Sequence, residues 1–170
     1  MIKKLLIPLS FFSFTVFCQE QKSNTSLYPS SIGNIEFDSN LDKKDFQLCF
    51  PNYNFQYFND SNGLLFLGDK IAIEKEFREK YKSENYKKES GLIRIRFIVN
   101  CKGETDRFRI IGMDENYQEK MFNESITQQL LQISKGLKGW KVKKSRNYDV
   151  DYYQYLIFKI KDGQIIEILP

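Results

Sequence analysis

The chain is expected to fold as an α+β domain, an antiparallel sheet of about four strands with two helices packed on one face, preceded by an aromatic-rich extension with short strands. Three observations predict this. Residues 91–99 alternate Ile93, Ile95, Phe97 and Val99 with Arg94 and Arg96, so a side-chain period of two gives one apolar and one largely charged face. Two other stretches repeat apolar residues at helical spacing. Asp162-Gly163 joins two runs rich in Tyr and Ile, a strong short-range hairpin signal.

In chain order, residues 1–18 carry Lys3 and Lys4, an apolar run from Leu5 to Phe17, and then polar Gln19 to Lys22, the order of a secretory signal peptide. The run falls short of the roughly 20 residues a spanning helix needs, and Pro8 and Ser10 weaken it as a permanent anchor. Val16 and Cys18 are small enough for signal-peptidase pockets, so cleavage is expected between Cys18 and Gln19. Lipidation of Cys18 is the second reading, because Phe17 is bulky where that processing wants a small residue. An exported, periplasmic protein follows.

Cleavage takes Lys3 and Lys4, so 26 basic against 22 acidic residues becomes 24 against 22, or +2, too small a surplus to steer nucleic acid or a membrane surface. It also leaves Cys49 and Cys101 as a pair in an oxidising compartment. An internal disulfide is preferred over two buried thiols or an intermolecular bridge, and on the loop-entropy account it stabilises by about 4 kcal/mol.

Residues 19–34 are polar with scattered apolar positions, a flexible leader. Residues 35–67 form the aromatic extension, in which Phe46, Leu48 and Phe50 alternate and Asn59 to Gly63 supply a turn, so short strands are expected. The main domain is set at 68–170. Asp69 to Ser83 predicts a helix, N-capped by Asp69, with Ile73, Phe77 and Tyr81 on one face and charge pairs Glu74–Arg78, Lys75–Glu79 and Glu76–Lys80 on the other. After the strand at 91–99, Asn100 to Gly103 reverses the chain, and Glu104 to Met113 returns as a second strand. Asn116 to Lys135 predicts the second helix, with Phe122, Ile126, Leu130 and Ile133 in line. The closing hairpin is Asp151 to Ile160 and Gln164 to Ile168.

Catalytic signals are sparse. The chain has no histidine, the commonest general base near neutral pH and the commonest metal ligand. Cys49 and Cys101 are far from a zinc-motif spacing, and no Gly-rich phosphate loop precedes a helix, so no metal and no cofactor is expected. Asp149 and Asp151 are the one pair of acids nominated for an envelope glycan hydrolase. The ten Tyr and fifteen Phe suggest stacking, but without a basic groove nucleic acid is not expected, and Tyr148, Tyr152, Tyr153 and Tyr155 serve as strand formers. Trp140, at a helix end, is expected to anchor the core.

From about Phe66 to Leu169 the chain resembles the C-terminal domain of TonB-type proteins. The resemblance rests on Phe66-Leu67-Gly68-Asp69 before the first helix, Gly91 opening an Ile-x-Ile-x-Phe-x-Val strand, the Asn100 to Gly103 turn, a helix, Trp140, and a closing strand ending in Phe158. It lacks the Pro-rich spacer of energy-transducing members, with four prolines in the whole chain, and has Trp-Lys-Val-Lys-Lys where Trp-x-Pro-Gly is often found. The resemblance implies a non-enzymatic interaction module that binds an extended segment of an envelope protein by sheet-edge pairing, in connection with outer-membrane transport. By position it puts the docking edge on the 151–160 strand, with Tyr153, Tyr155 and Ile157, and with Ile166 on the strand that follows. That following strand either caps the edge or is displaced by a partner. A homodimer through the C-terminal hairpin and a purely structural accessory domain are the further expectations.

Overall fold

The computed structural model describes residues 35–51, 55–56, 64–83 and 88–169. The expected signal peptide and Cys18–Gln19 cleavage point, the expected 19–34 leader and the expected Asn59 to Gly63 turn lie outside them. The described chain is α+β, as the periodicities predict. Its elements are β1 (Phe55–Gln56), α1 (Asp69–Lys80), β2 (Gly91–Val99), β3 (Thr105–Met113), α2 (Glu124–Gly136), β4 (Lys143–Ser145), β5 (Tyr148–Val150), β6 (Tyr152–Lys161) and β7 (Gln164–Leu169).

The main sheet runs β1-β6-β2-β3, with β7 also on β6. β2 is antiparallel to β6 along its whole length, from Gly91 opposite Ile160 to Val99 opposite Tyr152. β3 pairs antiparallel with the other side of β2, with a bulge between Arg96 and Ile98. β4 and β5 form a separate small hairpin.

The alternation in β2 decides the layers. Ile93, Ile95, Phe97 and Val99 are buried with Phe108 of β3, with Tyr152, Leu156, Phe158 and Ile160 of β6, and with Ile73, Phe77, Ile126 and Leu130 of the helices. Phe97 stacks on Phe108 at 4.7 Å between centroids and meets Trp140 edge-on at 5.1 Å, while Phe77 lies 4.7 Å from Phe158. Each such ring removes a large apolar area from water, and the pair geometries add to that burial.

Several element boundaries differ from those the residue spacing predicts. The α1 N-cap is Gly68, at φ 80°, and Asp69 is the first helical residue, its Oδ1 accepting from the amide of Lys70 at 2.7 Å. On the wet side Lys75–Glu79 and Glu76–Lys80 pair as expected, but Glu74 pairs with Lys70 rather than Arg78. Helix α1 stops at Lys80 because Tyr81 turns extended and donates its hydroxyl to the Gly163 carbonyl at 2.7 Å.

Helix α2 begins eight residues later than the apolar spacing predicts. The Asp114 carboxylate accepts from the amides of Asn116 and Gln118, which folds 114–118 into a turn in competition with a helix. The chain then returns to β3, where the Lys120 amide donates to the Gly112 carbonyl, and Asn123 caps the helix by accepting from Ser125. Gly112 suits this return, because a Cβ there would collide with the Lys120 carbonyl.

The expected short strands of the extension reduce, among the described residues, to β1. Phe46, Leu48 and Phe50 lie in irregular chain, where the Phe46 amide donates to the Lys43 carbonyl and the Phe50 amide to the Asp151 carboxylate. The Asp162-Gly163 hairpin forms as predicted, with both residues at positive φ.

Candidate functional site

Two features outside the helix-packed core have the geometry of sites. The first is the sheet margin formed by β6 and β7. Tyr153 is buried on the face away from the helices, with the Arg96 guanidinium 4.0 Å over its ring and its hydroxyl accepting from the Ile35 amide at 2.9 Å. Burial holds the Arg96 guanidinium below its usual range. Tyr155 and Ile157 are half-buried, opposite Arg96 and Arg94 of β2.

Tyr153 and Ile157 therefore have a strand on both sides of β6, and Tyr155 lies between the stretches that β1 and β7 cover. β2 covers one side of β6; on the other, β1 pairs at Tyr152 and Tyr153, and β7 pairs from Ile157 to Lys161. The following strand, β7, lies along the C-terminal half of the strand expected as the docking edge, and along that half the outer margin is β7. There Ile166 sits at a register shift opposite Lys159 and Ile160 and is half exposed. Between β7 and α1 runs a cleft of about 360 Å³ lined by Phe77, Arg78, Tyr81 and residues 164–168.

The second feature is the bridge. Cys49 and Cys101 form an intramolecular disulfide with Cα atoms 6.1 Å apart, as the cysteine count predicts. Beside it lies Asp151, wholly buried. One carboxylate oxygen accepts from the Cys101 amide at 2.9 Å and the other from the Phe50 amide at 2.7 Å. A single carboxylate thus holds both chain segments that carry the sulfurs.

Asp149 and Asp151 are not brought together as a catalytic pair would be. Asp149 is exposed on the β4–β5 hairpin beside Lys144, while Asp151 is sealed against the disulfide. Trp140 is buried, edge-on to Phe66 at 4.9 Å and to Phe97. It sits behind the Asn100 to Gly103 turn, where Gly103 has φ 78° and a Cβ would come within 2.7 Å of the Trp140 carbonyl.

Sequence reasoning missed Asp42. Its carboxylate takes a two-pronged bond from Arg109, both at 2.8 Å, which holds its pKa below the usual carboxylate value and raises that of Arg109. Nothing in the Ser-Asn-Leu-Asp run marks it, since the partner lies 67 residues away. Among the described residues no helix is long and apolar enough to cross a membrane. Compared with protein-family models, with curated proteins and with solved structures, the chain matches none.

Proposed function

We propose that this is an exported, non-enzymatic interaction module of the TonB C-terminal type that binds an extended segment of a cell-envelope protein by adding it to the β7 edge. The observation that carries this reading is the margin itself. Among the described residues β7 pairs on one side only, and it borders a cleft whose lining includes Phe77 and Tyr81. A peptide strand there makes main-chain hydrogen bonds to β7 and places alternate side chains in the cleft, which divides affinity from specificity. Export is supported by the Cys49–Cys101 bridge, a bond that persists in oxidising compartments.

The test uses a displayed library of short linear peptides, followed by amide exchange. Selected peptides are expected to slow exchange across Gln164 to Leu169, and Ile166→Asp is expected to weaken them about tenfold, or about 1.4 kcal/mol. Peptides that bind without protecting β7, or a library that yields none, sink the proposal.

A second reading, a purely structural domain, is favoured by one observation: the register shift at Ile166 is a bulge, and bulges and charged residues such as Glu167 blunt edges against pairing. Under it the β7 amides exchange at one rate whatever peptide is offered.

A further inference from the structure

We infer that Cys49, Cys101 and Asp151 form a three-ligand site for a thiophilic divalent cation of the zinc class, available whenever the disulfide is open. Cysteines 52 positions apart make no local motif, but the fold does what spacing does not. The two sulfurs and a carboxylate oxygen of Asp151 all lie within 4.8 Å of one another. Tetrahedral zinc, with Zn–S near ~2.3 Å and Zn–O near ~2.0 Å, needs ligand atoms a little under 4 Å apart. Opening the bridge frees the sulfurs to part to that spacing with the carboxylate beside them.

The surroundings suit a metal. Ligating carboxylates are themselves hydrogen-bonded, and Asp151 is oriented by the Phe50 and Cys101 amides through one lone pair on each oxygen, which leaves the others for a cation. Both cysteines are partly exposed and Asp151 is buried behind them. Two soft thiolates with one hard oxygen favour borderline zinc over Cu(I), which prefers sulfur alone, and over calcium or magnesium, which prefer oxygen. The fourth position falls to water.

The chemistry balances with a thiol reductant. Two external thiols pass two electrons and two protons to the bridge, forming their own disulfide and two cysteine thiols; the cation then displaces two protons as the thiolates bind. Bridge and metal are therefore alternative occupants of one place.

The test titrates Co2+ into the full chain, oxidised and phosphine-reduced, followed by Zn2+ competition. The reduced protein is expected to bind one equivalent with a thiolate-to-cobalt charge-transfer band and the intense visible bands of tetrahedral cobalt, and the oxidised protein none. Asp151→Asn and Cys49→Ser, each reduced, are expected to lose about a hundredfold in affinity or more. Because Asp151→Asn removes a fold contact, X-ray absorption on the wild-type zinc complex reads the ligands directly: two sulfurs and two light atoms are expected. Four sulfurs, no sulfur, equal binding by the oxidised form, or a folded Asp151→Asn that binds as wild type overturns the site.

Discussion

The two faces of the sheet are held by different physics. On the helix side, β2, β3 and β6 contribute Ile93, Ile95, Phe97, Phe108, Leu156 and Phe158 to one continuous apolar core. On the far side, the same strands present Arg94, Arg96, Arg107, Arg109, Tyr153 and Tyr155, and the 35–51 segment is attached to them by directional polar bonds. Asp42 binds Arg109 and the Lys43 amide donates to Asp106 at 2.9 Å. The Asn100 side chain donates to the Gln47 carbonyl at 3.0 Å, and the disulfide closes the set. Apolar burial is non-directional and scales with area, whereas polar attachment stands or falls with single partners. The contrast teaches that the first face makes the domain and the second fastens an appendage to it.

Breaking the apolar face has the largest expected effect. Trp140→Ala should cost about 3–5 kcal/mol in urea unfolding, since it empties a site bounded by Phe66 and Phe97. The Cys49→Ser, Cys101→Ser double variant, which acts on the far side, should lose about 4 kcal/mol or less on the loop-entropy account, with the far-ultraviolet spectrum retained. Equal collapse of that spectrum in both variants would mean the extension belongs to the core.

Asp42→Asn should cost about 2 kcal/mol, because Arg109 keeps its burial and loses its charge-assisted bonds. The folded pKa of Asp42 is depressed, so its contribution is present above the ordinary carboxylate value of roughly 4 and disappears as pH falls through the lower folded value. The wild type should therefore lose stability on acidification more steeply than Asp42→Asn, and parallel pH curves would remove the pair from the account. Glu79→Gln, on the exposed side of α1, should change stability by about 0.5 kcal/mol or less, and a larger shift would show that this surface is covered.

The apolar face was legible because periodicity encodes it. Alternation in 91–99 gave the strand and its orientation, Ile73 and Phe77 gave the first helix, and Asp162-Gly163 gave the hairpin. The far face was not, since Asp42, Asn100 and Asp151 act through partners distant in sequence and their residue types look like ordinary surface and turn residues. The β4–β5 hairpin hid in Lys-Lys-Ser-Arg-Asn-Tyr-Asp, a run with no apolar alternation. Helix α2 was read too long because Phe122 keeps helical phase with Ile126 although it precedes the cap at Asn123. For the candidate site, the pairing of Cys49 with Cys101 was readable from the count of cysteines, but the third group beside it required the fold.

Asn100 couples the extension to the turn between β2 and β3. Its amide nitrogen reaches both Gln47 and Glu104, and its amide oxygen takes the amides of Lys102 and Glu104, so it joins the extension to the turn ending at Gly103. That glycine abuts the carbonyl of the chain's single tryptophan. Prising the extension loose would disturb the turn and, through it, the indole, so emission from one intrinsic fluorophore would give a label-free signal of whether the appendage is docked.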